Sequence, residues 1–229
     1  DPELNKRKMG ASFLAQNGGK QSLTLNLKKA EGKEVLFRLV KSADVLIENF
    51  RPGVMNRLGV GYDVLKEINP RLVYCAISGF GQEGPMKFAP AYDQIVQGLS
   101  GVMSITGSEE TAPLRVGYPV ADTIGGITAA FAVSSALVRQ ARTGEGEFID
   151  VSMLDSTVVT MGWVVSNFLI AGKTPRPMGN ENFTAAPSGA FRTGNGLLNI
   201  AANKQEQFAA LAEAIGRADL VSDARFAER

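Results

Sequence analysis

Leucines at 23, 25 and 27 alternate with Thr24 and Asn26, the period-2 pattern of a strand with one buried face. The period then changes. Over residues 31–43, Val35, Leu36, Leu39, Val40 and Ala43 fall on one side of a helix, and residues 44–48 make a short apolar strand. Asn49-Phe50-Arg51-Pro52-Gly53 turns the chain at that strand's C-terminal end, where open α/β sheets keep their ligands. Helical segments through Arg57-Leu58 and over 62–68 follow, until Asn69-Pro70 stops them and residues 71–78 form another strand. Strand, helix and strand in alternation predict an α/β fold with parallel strands joined by a crossover.

Further on, Ile95, Val96, Leu99 and Val102 predict a helix over 92–103, and a long helix is expected over 122–142. Thr143-Gly144-Glu145-Gly146 is a glycine-rich reversal before a strand over 148–151, and 153–171 reads as a mostly buried helix. Residues 172–188 are rich in Pro, Gly and Asn, as segments between domains are. A hairpin with strands at 190–193 and 197–201 and an amphipathic helix over 205–215 complete the pattern.

The 229 residues, 45% of them hydrophobic, can bury a sizeable core. The 24 Lys and Arg balance 23 Asp and Glu to a net charge of +1, which supplies no field for nucleic acid or an anionic membrane, so any anion is bound locally. The longest apolar run, 158–172, is interrupted by Trp163, Ser166 and Asn167 and is too short for a bilayer, and no secretory signal is visible. A cytoplasmic location is expected. The chain opens on Asp1-Pro2 and closes on a charged stretch ending in Arg229, which reads as a piece cut from a longer protein.

Histidine is absent, which removes imidazole triads and most zinc sites and leaves carboxylate, amine, hydroxyl or backbone groups to do chemistry. The single cysteine, Cys75, lies in the apolar run 72–77 and reads as a buried strand residue rather than a nucleophile. Gly79-Phe80-Gly81-Gln82-Glu83-Gly84 spells a G-x-G-x-x-G, but Pro85 and Pro90 stand where a dinucleotide fingerprint needs a helix, so the glycines indicate backbone close to a ligand and no more. Asp122 sits where a polar loop becomes an apolar helix, followed by Gly125 and Gly126; it reads as an N-cap or as a reactive carboxylate at a helix start. Asp155 is the rival, with no glycines beside it.

Several separate motifs carry a resemblance. Residues 17–28, residues 43–54, Asn69-Pro70-Arg71-Leu72-Val73-Tyr74, Ser78-Gly79-Phe80-Gly81-Gln82 and Arg142-Thr143-Gly144-Glu145-Gly146 are similar, in order and spacing, to the class III CoA-transferases, the CaiB/BaiF family that includes formyl-CoA transferase and carnitine CoA-transferase. The resemblance implies a Rossmann-like parallel-sheet domain over 1–171 whose first unit is missing, a linker over 172–188 and the start of a smaller α+β domain over 189–229, in an interlocked homodimer. It implies no tightly bound cofactor, with coenzyme A and acyl-CoA as substrates beside a small carboxylic acid, and no metal.

In the family scheme Asp122, in the Ala-Asp-x-x-Gly-Gly position, is the nucleophile that takes an acyl group and then CoA as covalent aspartyl intermediates. By position, CoA contacts fall on Leu25, Asn26, Leu27 and Lys28, on Asn49, Phe50 and Arg51, on Arg57, and on Ala91 and Tyr92 with Pro90 and Asp93 beside them. Arg51 and Arg57 suit CoA's phosphates as bidentate donors. Structural readings stand next to these: Arg57 as a solvated helix residue, Tyr92 as a core aromatic. Pro90 departs from relatives that carry Lys there. An α-methylacyl-CoA racemase of the same fold needs a base that Tyr92 supplies poorly at neutral pH, and a CoA-binding protein in which Asp122 only caps a helix is the third reading.

Overall fold

The computed structural model describes residues 2–7 and 9–226, so the expected cut ends, Asp1 and residues 227–229, lie outside the described residues. The elements in order are α1 (Pro2–Lys6), α2 (Ala11–Gln16), α3 (Ala30–Val40), β1 (Val45–Glu48), α4 (Val54–Arg57), α5 (Tyr62–Ile68), β2 (Val73–Ser78), α6 (Asp93–Ser100), α7 (Val120–Thr143), β3 (Glu147–Ser152), α8 (Met153–Thr160), α9 (Gly162–Ala171), β4 (Ser188–Thr193), β5 (Gly196–Ala201) and α10 (Gln205–Ala214).

β1, β2 and β3 form a parallel sheet in that order, with Ile47 opposite Cys75 and Cys75 opposite Ile149. Because side chains alternate along β2, it feeds two cores. Tyr74 and Ala76 pack with Val40, Val60 and Leu65 under α3 and α5, while Val73 and Cys75 pack with Ala129, Val133 and Ala136 of α7. Fully burying a side chain such as Leu65 stabilises by about 1.5–3 kcal/mol. Helices on both faces of a parallel sheet confirm the expected α/β class.

α7 is long and apolar enough to cross a membrane, a stretch that the sequence reading did not weigh for this. Here one side of it is used along the sheet, with Gly125, Ala129, Val133, Ala136 and Gln140 buried. Cys75 is fully buried, and burial together with the charges of Glu48 and Asp150 pushes its thiol up to about 11, as expected for a core residue.

Three expectations need correction. Residues 23–27 form no strand: they run as irregular chain with Leu23 exposed, because alternation alone supplies no hydrogen-bonding neighbour, and β1 pairs only with β2. The expected helix over 92–103 is α6 followed by a short 3₁₀ turn, and it buries Val96 and Gln97 while Ile95 and Leu99 stay exposed. The single helix over 153–171 is two, α8 and α9, meeting at 82° around Met161. Residues 172–188, expected as a linker, are mostly exposed; within them Phe183 stacks on Trp163 with centroids 4.2 Å apart, and the Gly179 N–H donates to the Gly107 carbonyl at 2.6 Å. β4 and β5 pair antiparallel as the expected hairpin.

Candidate active site at the carboxyl edge of the sheet

Strands of a parallel sheet deliver their C-terminal ends to one edge, and helices that run back antiparallel begin there. The turn after β1 is held by its own polar groups. Glu48 accepts the Phe50 N–H at 2.6 Å, and Asn49 Nδ2 donates to the Ile77 carbonyl at 2.7 Å, so the two strand ends are stapled together. Burial raises the Glu48 carboxyl from its usual range, against the lowering effect of the Phe50 N–H and the Tyr74 hydroxyl. This leaves Phe50, half exposed, and Arg51 presented to solvent.

Gly53 follows with φ +79°, a left-handed conformation that favours glycine, and it opens the single turn of α4. At the end of that turn the Arg57 guanidinium folds back, Nη1 lying 3.1 Å from where a Gly53 side chain would begin. Arg51 and Arg57 are exposed and have no acidic partner among the described residues. They form a basic corner on the residues expected to meet phosphates.

Leu25, Asn26, Leu27 and Lys28 lead into α3. The Asn26 carbonyl accepts the Lys29 N–H at 3.0 Å, Asn26 Oδ1 accepts the Lys28 N–H at 3.0 Å, and Leu27 packs on the core under α3. Since α3 runs back from this edge to β1, these residues share the edge with Asn49, Phe50 and Arg51.

At the end of β2, Gly79 touches the segment before α6 so closely that any side chain there would collide with the Ala91 β-carbon. Ala91 packs with Val96, Ala121 and Met153, which brings the starts of α6, α7 and α8 together. Tyr92 is 74% exposed, so the core-aromatic reading is wrong. The side chain of Asp93, expected beside the CoA contacts, turns inward instead. Its Oδ1 accepts the Ala121 N–H at 2.9 Å and its Oδ2 accepts Gln97 Nε2–H at 2.6 Å.

Asp122 is the third residue of α7, whose cap position is Pro119 with no side-chain cap. The helix therefore starts two residues before the sequence reading placed it, and Asp122 is not its cap. The carboxylate is exposed and engages no hydrogen bond or ion pair among the described residues. Partial burial, with the Asp93 charge second, raises its carboxyl from the usual range. Gly126 leaves open space beside it, whereas a side chain at Gly125 would meet Met153 Cγ at 3.1 Å.

Asp155 is the third residue of α8 and is capped differently, with Ser152 Oγ accepting its N–H at 3.2 Å. It lines a cavity of about 480 Å³ with Glu83 and Asp150, and a larger one of about 840 Å³ lies between α9 and the 173–189 segment. Asp122 lines neither. The larger hollow is lined by Glu181, Lys173 and Arg176, none of them at the start of a helix at the carboxyl edge of the sheet. Among the described residues no cluster of acidic, Cys or His side chains could hold a metal.

Residues 2–229 match CoA-transferase family III. The chain belongs to that family. It is 41% identical to the acetyl-CoA:oxalate CoA-transferase of Acetobacter aceti over 99% of this chain and 58% of that protein. It is 39% identical to the succinate–glutarate CoA-transferase of Agrobacterium fabrum over 95% of this chain and 54% of that protein. The crystal structure of a CaiB/BaiF family protein from Brucella suis superposes with a TM-score of 0.81 at 38% identity, covering 92% of this chain and 56% of that one. The chain thus spans just over half the length of these relatives. Gln97, unremarked in the sequence, is the site residue the pattern missed: a polar residue one step from an apolar helical face looks like solvent decoration.

Proposed function

We propose that this chain forms the nucleophile-bearing part of an enzyme that moves CoA from an acyl-CoA to a carboxylic acid, with Asp122 as the nucleophile. One observation carries the reading: a carboxylate in the first turn of a helix, at the carboxyl edge of a parallel sheet, that neither caps its helix nor pairs with a cation among the described residues. A carboxylate kept free at such a position is available to react. The names of the relatives, which include oxalate, succinate and glutarate, support a small acid as the second substrate.

In this mechanism one Asp122 oxygen attacks the thioester carbonyl, CoA leaves as its thiolate, and a mixed anhydride forms. The thiolate returns to the aspartyl carbonyl, releasing the donor acid and leaving Asp122 as a CoA thioester. The acceptor carboxylate attacks that carbonyl and expels the thiolate, which then attacks the acceptor's carbonyl in the new anhydride. This restores the Asp122 carboxylate and yields the new acyl-CoA. Covalent splitting of a hard transfer into easier steps is the gain.

On the CoA side, Arg51 and Arg57 meet the phosphates. Phe50, Ala91 and Tyr92 line the pantetheine or nucleotide, and Leu25 to Lys28 present backbone at the start of α3. The Asn49 side chain serves indirectly, by stapling the strand ends. The assembly is proposed to be an interlocked homodimer, on family resemblance, and its mass in solution checks the dimer; a cytosolic location is proposed from the sequence pattern.

The test incubates the full-length protein with acetyl-CoA and succinyl-CoA, traps with hydroxylamine and maps the modified peptide by mass. A hydroxamate at Asp122 is expected. Binding of CoA with no adduct at Asp122 from any donor would sink the reading. Arg51→Ala and Arg57→Ala should each weaken CoA binding by roughly ten- to a hundredfold, as loss of a charge-assisted contact does.

A further inference from the structure

Asp93 and Gln97 stand one helical turn apart on α6, and together they reach across to the segment that enters α7. Gln97 is fully buried. Its Oε1 accepts the Val116 N–H at 2.8 Å, and its Nε2, besides donating to Asp93, lies 3.4 Å from the Tyr118 carbonyl. Each link dictates the polarity of the next. A carboxylate whose two oxygens both receive N–H groups is acceptor-only, so Gln97 must turn its nitrogen toward Asp93, and its oxygen is thereby assigned to Val116. The relay ends on the Ala121 N–H, one residue before Asp122.

The other donors of the first turn of α7 are arranged around this. The Val120 N–H donates to the Tyr118 carbonyl at 2.8 Å and the Thr123 N–H to the Pro119 carbonyl at 3.0 Å. Helix starts are ordinarily served by a side chain at the cap position. Here Pro119 cannot do that, and a residue 28 positions earlier in the chain does it instead. An interior polar relay that spans two helices and a loop is costly to leave half satisfied, so it holds one geometry.

We propose that Asp93 and Gln97 are positioning residues for Asp122: they fix the 116–121 segment and the first turn of α7, and Asp93 sets a second negative charge near the reacting carboxylate. This rests on the reading of Asp122 as the nucleophile. Like charge makes Asp122 hold a proton more tightly, and a more basic carboxylate is the better nucleophile once ionised. The titratable or charged groups on the surrounding elements are Tyr92 just before α6, Asp93 on α6, Arg115 and Tyr118 from the preceding loop, Tyr74 and Cys75 from β2, Glu147 and Asp150 from β3 and Asp155 from α8. Arg115 turns its Nε to the Val116 carbonyl at 3.3 Å, and the charge felt at Asp122 is that of Asp93.

The test uses the full-length protein with Asp93→Asn, Gln97→Glu and the double variant. An amide at position 93 puts a donor against a donor somewhere along the relay. In the double variant that amide again accepts from Ala121 and donates to position 97, where the new carboxylate accepts from Val116, so these polarities match once more and only the long contact to the Tyr118 carbonyl is lost. Two readouts are taken: the titration of the Asp122 carboxyl by isotope-edited NMR, which needs no activity, and the rate of hydroxamate formation at Asp122.

Asp93→Asn is expected to lower the Asp122 midpoint and to slow adduct formation by roughly ten- to a hundredfold, the scale of a small misplacement. The double variant is expected to recover most of that rate. An unchanged midpoint and rate in Asp93→Asn, or a double variant no better than the single ones, would overturn the inference. If Asp93→Asn folds poorly, regained folding in the double variant supports the relay and its failure overturns it. If the wild-type protein forms no adduct, yet Asp93→Asn lowers the Asp122 midpoint, the transferase reading falls and the Asp93–Asp122 coupling stands.

Discussion

Two helices begin at the same edge of the sheet, and each carries an exposed aspartate as its third residue: Asp122 on α7 and Asp155 on α8. They differ in how the helix start is satisfied. α8 has a local cap, Ser152. α7 has Pro119 at the cap and takes its acceptor from Asp93 on another helix. The start of α8 thus takes its acceptor from the adjoining residue, whereas the start of α7 takes its acceptor from a separate helix, α6. The difference teaches that a carboxylate near a helix start can be supported by the fold without being consumed by it.

The contrast can be broken most sharply by exchanging roles. Asp122→Asn should cost at least about a thousandfold in turnover, on the scale of removing a covalent nucleophile, and assays of CoA exchange would read it. If Asp155→Asn produced the comparable loss instead, the assignment would be reversed. Next in size, Gly125→Val drives a side chain into Met153, where the two helices touch, and should destabilise by about 1–3 kcal/mol as overpacking does. Urea unfolding of the variant measures that. Ser152→Ala removes the local cap and should lose about 1 kcal/mol in the same titration with CoA exchange retained. Smallest of all, Asp155→Asn should stay within about 0.5 kcal/mol of the parent, as surface changes do.

Much of this arrangement can be read along the chain. β1, α5, β2 and β3 fall within about two residues of their patterns, since short apolar runs punctuated by Asn-Pro and Gly-rich turns are local signals. The place of Asp122 near a helix start is legible in its loop-to-helix position, and its reading as a cap fails because the helix begins two residues earlier. What the sequence hides is pairing. Leu23, Leu25 and Leu27 alternate like a strand, yet a strand requires a neighbour, which no local pattern supplies. The bend at Met161 is hidden because 153–171 is apolar nearly all round, leaving no periodicity to break. Gln97 is hidden for a third reason: a buried amide is recognisable only by its partners, which lie 4, 19 and 21 residues away.

The opposite edge of the sheet has its own polar knot. Asn69 Nδ2 reaches the Val40 and Ala43 carbonyls at 2.9 Å, Gln140 of α7 donates to the Arg71 carbonyl, and the Gly146 N–H donates to Pro70 at 2.8 Å. The end of α3 and the starts of β2 and β3 are thus tied to the far end of α7, and Gln140 is almost fully buried. Local opening follows the free energy of the weakest unit. Amide protons around 69–73 and those of Gly144 and Gly146 should therefore exchange slowly with deuterium, as should those of Val116 and Ala121, held by Gln97 and Asp93, so that α7 behaves as a beam pinned at both ends.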